Sequence, residues 1–170
     1  CNDSADMTRL LDDPRLTALC LGPGLGHDRA LALLPDVLAS GRPVVLDADA
    51  LSAHQGDPDA LFKRLHPACV LTPHGGEFAR LFPDLAALLH GPATTGPAPD
   101  KVQAIRAAAA RAGCTVLFKG ADTVIAAPDG RAWLHAASYE RAAPWLATAG
   151  AGDVLAGMIC GLLARGLDPR

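Results

Sequence analysis

Four short apolar runs, "TALCLG" (17–22), "PVVLDA" (43–48), "ACVLTP" (68–73) and "CTVLFKG" (114–120), constrain this chain more than any other feature. Each is too short for a helix and apolar without alternation, the pattern of a strand buried on both faces. Helical patterns fill the intervals near residues 28–40, 58–65, 76–89 and 100–112. Strand and helix taking turns predicts β-α-β crossovers, hence an α/β fold with a mostly parallel sheet and helices on both faces. After Lys119 the pattern changes: "DTVIAAPDGRAWLHA" reads as two strands joined at Pro128-Asp129-Gly130, a hairpin. A last helix is predicted from about Gly152. It is apolar on nearly every side through Val154, Leu155, Met158, Ile159, Leu162 and Leu163, so it is expected to be buried against the sheet, with Gly157 and Gly161 allowing close approach. The Pro, Gly and Thr rich stretch "LHGPATTGPAPD" (89–100) is the clearest loop.

At 170 residues, with half of them hydrophobic and 19% charged, the chain has the material for one folded domain over 1–170 and not for a disordered segment. A net charge of −3 gives no basic field for nucleic acid or an anionic membrane, so any phosphate site must be local and the expected partners are small molecules. The longest nearly uncharged stretch, from Ala142 to Ala164, is interrupted by Pro144 and Asp153 and does not read as a membrane span. Five cysteines, Cys1, Cys20, Cys69, Cys114 and Cys160, form no C-x-x-C pair; they read as buried thiols in a reducing cytoplasm, without zinc. The chain opens on Cys1 without a basic and apolar leader, and is expected to be a piece of a longer polypeptide, truncated at both ends.

Chemistry is concentrated where strands end. Gly22-Pro23-Gly24-Leu25-Gly26 follows a strand and opens a helix, a place where backbone N–H groups approach a ligand and negative charge is favoured. Its third glycine comes one residue too early for the dinucleotide fingerprint, and a tight strand-to-helix turn is the plain alternative. Asp47 and Asp49 end the second strand, either as ligand contacts or as a cap for the next helix. His74 and Glu77 sit on a turn without a third metal ligand nearby, which suits substrate contact better than metal, with capping by Glu77 as the alternative. Lys119 is placed either to meet a phosphate or to stand in solvent. In Ala149-Gly150-Ala151-Gly152 minimal side chains expose amides at a helix N-terminus, and Asp153 enters the first turn. That carboxylate either complements the helix dipole or accepts the proton of a hydroxyl about to be phosphorylated.

In this order and at these distances, "GPGLG", "VLDADAL", "LTPHGGEFARL", "VLFKGADTVI" and "ATAGAGDVLAGMICGLLARG" resemble the ADP-dependent NAD(P)H-hydrate dehydratases of the ribokinase-like superfamily, from about Leu19 to Gly166. The resemblance implies a three-layer α/β/α fold with a mostly parallel central sheet, here without the family's N-terminal strands and last strand. Fusion behind an epimerase domain is common among such relatives. The departures are local. Where the family reads N-P-G-M-A-T-G-G-S/T-G-D, residues Ala143 to Asp153 lack the Asn and carry Trp145 in place of Gly, and "HGGE" replaces H-P-G-E.

The activity implied is repair of (S)-NAD(P)HX, the hydrate of NADH or NADPH: its 6-hydroxyl is phosphorylated from ADP and phosphate is expelled, giving back NAD(P)H with AMP and phosphate. The resemblance makes Asp153 the catalytic acceptor of the hydroxyl proton and a contact of the substrate. It assigns ADP to Lys119, Gly120, Ala121, Asp122, Thr123, Ala149, Gly150, Ala151 and Gly152. It assigns the damaged nucleotide to Gly24, Gly26, His74, Gly75, Gly76, Glu77 and Arg80. Mg2+ accompanies ADP as cofactor, no protein metal site is implied, and a cytoplasmic homotetramer is expected. Two rivals remain. A ribokinase-like kinase of a sugar, hydroxymethylpyrimidine or thiazole alcohol shares the aspartate, but sugar kinases read D-T-x-G-A-G-D where Ala147 stands, and thiazole kinases carry Cys at the place of Asp153. The other is a non-catalytic nucleotide-binding module.

Overall fold

A computed structural model describes residues 4–90 and 100–169. The chain runs α1 (Ser4–Leu11), β1 (Leu19–Leu21), α2 (His27–Ala39), β2 (Val44–Leu46), α3 (Asp49–Ser52), α4 (Pro58–Phe62), β3 (Cys69–Leu71), α5 (Gly75–Leu81), α6 (Pro83–His90), α7 (Lys101–Ala112), β4 (Thr115–Phe118), β5 (Asp122–Ala126), β6 (Ala132–Ala136) and α8 (Ala151–Ala164). The four apolar runs form β1 to β4, each shorter than its run. Most of the predicted loop at 89–100, and Cys1, lie outside the described residues.

Local chemistry explains the helix boundaries. Asp57 caps α4 by accepting from Ala60 N–H, with Pro58 preset at the first helical position. Asp100 caps α7 by accepting from Val102 N–H, and Gly113 ends it in the left-handed conformation. The single helix predicted over 76–89 is two: Pro83 lacks an N–H and pushes Phe82 out of helical geometry (φ −133°, ψ 62°), then opens α6. α1 was not predicted.

The described strands make a sheet in chain order, β1-β2-β3-β4-β5-β6. β1 to β4 are parallel, and the hairpin predicted around Pro128-Asp129-Gly130 adds β5 and β6 antiparallel. Because each parallel strand lies beside the previous one, right-handed crossovers deliver successive helices to the same face. That face holds the main core: Leu46, Leu71 and Val116 from the strands meet Leu33, Leu34, Phe78, Leu81 and Ile105. The alternate residues of the strands point the other way, where Val45 and Val70 pack on Ala156 and Leu163 of α8.

Helices on both faces are therefore present, but unequally, and this corrects the expectation of a buried last helix. Among the described residues α8 covers its face of β1 and β2 with one stripe, and Val154, Met158 and Leu162 on its far side are exposed, Met158 at 64%. Gly157 and Gly161 do not serve close packing: a Cβ on either would meet nothing within 4 Å. The cysteines are corrected in part as well. Cys69 and Cys114 are buried, Cys160 is half-buried, and Cys20 is exposed on edge strand β1. Among the described residues no helix is long and apolar enough to cross a membrane.

Candidate functional site

Strand register builds the site. Leu21, Leu46 and Leu71 are aligned across β1, β2 and β3, so Gly22, Asp47 and Thr72 follow as one row at the carboxyl edge, where open α/β sheets bind ligands. Asp47 N–H donates to the Leu21 carbonyl and Thr72 N–H to the Leu46 carbonyl, extending the ladder by one residue. Asp47 lies two residues beyond Val45, so its side chain falls on the α8 face of the sheet. Lys119 stands likewise two residues beyond Leu117 at the end of β4. The two meet: Lys119 Nζ donates to Asp47 Oδ1 at 2.7 Å, with Asp47 1% and the lysine side chain 19% exposed. Lys119 is thus not a solvated turn residue: its ammonium is largely buried and paired with Asp47.

The N-terminus of α8 faces this pair. Gly150 caps the helix in the left-handed conformation (φ 88°) and supplies no side-chain acceptor, so the first-turn amides of Gly152 and Asp153 point outward unsatisfied by the cap. A Cβ on Gly152 would lie 3.0 Å from Lys119 Nζ and 3.8 Å from Asp47 Oδ2, so a side chain there would press the ammonium aside by a few tenths of an ångström. Asp153 is exposed in the first turn. Together Asp47, His74, Glu77, Lys119, Gly120 and the segment Gly150 to Asp153 line a cleft of about 470 Å³. A second cleft of about 510 Å³ shares Gly120, Leu146 and Ala147 with it and extends past Ala121, Thr123, His135 and Ala142 to Pro144. Its lining is predominantly apolar, whereas the first is edged by charge.

His74 and Glu77 form a capping box at α5. His74 Nδ1 accepts from Gly76 and Glu77 N–H, and Glu77 Oε2 accepts from His74 N–H at 2.8 Å. Glu77 is buried and the two side chains approach to 3.4 Å, so the capping alternative holds for Glu77 while the His74 ring keeps an exposed edge on the cleft. Gly75, Gly76 and Arg80 belong to α5 but do not line the cleft. Gly24 and Gly26 lie on the turn after β1, outside both clefts, and the Gly26 amide is already used: it donates to Asp49 Oδ2 at 2.8 Å. Neither Asp47 nor Asp49 caps α3, whose cap is Ala48. Asp122 begins β5; its carbonyl accepts from Lys101 Nζ, and that ammonium lies 4.8 Å from the centre of the Phe118 ring, pinning the turn from Lys119 to Thr123. Ala149 precedes the cap and Ala151 lines the first cleft.

Sequence reasoning left Asp47 undecided and passed over His135. The signal for Asp47 was its place one residue past an aligned strand end, and its partner lay 72 residues away. Trp145, which stands where the family carries Gly, is 73% exposed and does not fill the cleft.

Comparison with known proteins follows the same lines. A family model described as NAD(P)H-hydrate dehydratase matches residues 2–170. The bifunctional NAD(P)H-hydrate repair enzyme Nnr of Synechocystis sp. is 44% identical over 157 residues, 91% of this chain and 27% of that protein. The crystal structure of an ADP/ATP-dependent NAD(P)H-hydrate dehydratase from Bacillus subtilis, co-crystallized with ATP/Mg2+ and soaked with CoA, superposes with a TM-score of 0.65 at 33% identity, covering 87% of this chain and 48% of that one. A ribokinase-like superfamily protein of Enterococcus faecalis, at 23% identity and a TM-score of 0.65 over 95% of this chain and 52% of that one, shares the fold. The chain thus spans about a quarter of the curated relative and about half of the solved ones.

Proposed function

The chain belongs to the NAD(P)H-hydrate dehydratase family, and from that premise we propose that the joined clefts bind ADP and the hydrated nicotinamide nucleotide (S)-NAD(P)HX for a phosphoryl-transfer dehydration. The observation that carries this is the N-terminus of α8, which has no side-chain cap, with Asp153 in its first turn and the Lys119 ammonium against Gly152. An anion is favoured there by outward amides, the helix dipole and a fixed cation at once.

On this reading the apolar cleft from Gly120 to Leu146 takes the base and ribose of ADP, and the phosphates cross Gly120 toward Lys119 and Gly152. The hydrate enters over His74, with its 6-hydroxyl toward Asp153. Asp153 accepts the hydroxyl proton while the new O–P bond forms and the bond from phosphorus to the bridging oxygen of ADP breaks, releasing AMP. The amides of Gly152 and Asp153 hold the charge of the group in flight. The ring-nitrogen electron pair then expels phosphate as the C–O bond breaks, and loss of a ring proton restores the double bond.

Among the described residues no cluster of three or more His, Cys, Asp and Glu side chains could hold a metal ion alone. Mg2+ is therefore proposed to arrive on the ADP phosphates, which suits its preference for water and phosphate oxygens around one or two carboxylates. The oxygen of this chain that fits it is Asp47 Oδ2, buried in the cleft without a partner among the described residues. Bound there, the ion would draw charge from the transferring phosphoryl group.

Residues 1–170 are proposed to act as part of one dehydratase domain, cytoplasmic and homotetrameric. The deciding assay incubates the protein with hydrated NADH, ADP and Mg2+ and follows absorbance of reduced nicotinamide. Recovery that requires ADP supports the reading; no recovery while the protein is folded and binds ADP removes the dehydratase activity.

A further inference from the structure

We propose that Asp47 is a positioning residue, whose buried carboxylate holds the Lys119 ammonium against the N-terminus of α8 so that lysine and helix engage one phosphate together. The inference rests on the nucleotide reading of the cleft and adds a residue to it.

Electrostatics poses the problem. The N-terminus of a helix carries the positive end of its dipole, so an ammonium is disfavoured there. Yet Lys119 Nζ lies within 3.0 Å of where a Gly152 Cβ would stand. In that position it donates to Asp47 Oδ1, at 2.7 Å. Removing the carboxylate would leave the cation facing the dipole, free to swing toward solvent. A bound phosphate completes an alternating row of carboxylate, ammonium and anion, in which each neighbour attracts.

The main chain that carries this carboxylate is fixed on both sides. Asp47 N–H donates to the Leu21 carbonyl and its own carbonyl accepts from Ala50 N–H. Gly22, at φ 133°, presses on that carbonyl so closely that a Cβ would come within 1.7 Å of the oxygen. On the other side Ala48 takes φ 46° and ψ −117°, a conformation that non-glycine residues rarely adopt. Strain kept on one side and a glycine required on the other mark a residue whose placement is over-determined, a pattern that gathers at functional sites. Asp47 is also 1% exposed with Oδ2 unpartnered among the described residues, a cost that a purely structural pair has no reason to retain.

The test is a double-mutant cycle on ADP binding, measured by calorimetry in EDTA so that no divalent cation contributes. Lys119→Gln and Asp47→Asn each keep a hydrogen-bonding group in place. Each is expected to weaken ADP by about tenfold or more, the size of one charge-assisted bond to phosphate. The double variant is expected to bind no more weakly than Lys119→Gln alone, because Asp47 acts through the lysine. Asp47→Asn is further expected to leave binding of the hydrate, titrated in the same EDTA buffer, unchanged. Multiplying losses, or parental affinity in Asp47→Asn, would overturn the inference. If thermal melting shows Asp47→Asn unfolded, the double variant against Lys119→Gln decides alone: equal affinities support the proposal and a further drop overturns it. Failure of the parent to bind ADP would remove the nucleotide reading and this inference with it, whereas additive losses in a parent that binds would remove only the inference.

Discussion

Gly22 and Asp47 touch backbone to backbone: a Cβ added to Gly22 would stand 1.7 Å from the Asp47 carbonyl oxygen and 3.2 Å from the Ala50 Cβ. No rotamer change relieves that contact, because both atoms belong to the ends of paired strands. Gly22→Ala is expected to cost on the order of 3–5 kcal/mol, read by chemical denaturation, as overpacking and a φ of 133° act together. A loss below about 1 kcal/mol would show that the strand end yields easily.

Asp153→Asn is expected to lower turnover of the hydrate by about 10²- to 10⁴-fold, the usual effect of losing a positioned base. The amide keeps the shape of the first turn, so ADP affinity should stay within a few fold. Parental turnover in this variant would return Asp153 to the role of complementing the dipole of α8.

Gly152 offers a graded probe of the anion pocket. Its backbone is helical, so Ala gains roughly 1 kcal/mol of helix propensity, but its Cβ would press on Lys119 Nζ. Gly152→Ala should keep the parental melting temperature within a few degrees and weaken ADP. Gly152→Val should abolish the rise in melting temperature that saturating ADP gives the parent. A full ADP-induced rise in the Val variant would show that phosphate does not lie against this residue.

Cys20 reports the charge of the cleft. Its thiol is pushed up to about 11, chiefly by burial and then by Cys160, Asp47 and Asp153, although the residue as a whole is exposed. At pH 8 the reactive thiolate is therefore about one part in a thousand, and iodoacetamide should label the Cys20 peptide far more slowly than the same peptide after denaturation. Raising the pH toward 11 should speed labelling about tenfold per unit. Asp153→Asn, by removing one negative charge, should accelerate it modestly at pH 8. Equal rates in native and denatured protein would contradict this environment.

The strands were legible because Val and Leu runs of this length leave few alternatives, and the hairpin because Pro128-Asp129-Gly130 is turn chemistry between two β-rich stretches. The break at Phe82 was missed since Leu81, Leu85 and Ala86 keep helical spacing straight through Pro83. The exposure of α8 was missed for a different reason. Hydropathy says that Val154, Met158 and Leu162 are apolar, while only strand order says that every crossover helix lies on the opposite face. In the site, the turn at Gly150 and the acid after it could be read from glycine spacing. The separate fates of Asp47 and Asp49 could not, because one is claimed by Lys119 and the other by the Gly26 amide, both distant in sequence.

Because α8 closes onto the first strand, the chain must bring together groups as far apart as Thr17 and Ala164, whose side-chain-to-carbonyl bond spans 147 residues. Everything on the opposite face is made of nearer neighbours, and nearer contacts form first because their loops cost less entropy to close. Asp47 and Lys119 end strands of the sheet, so the two can approach each other before α8 docks, but Asp47 is buried only once that helix covers its face. The carboxylate of Asp153 and the amides beside it reach the cleft only when α8 docks, so a sheet formed without that helix holds Asp47 and Lys119 but no anion pocket.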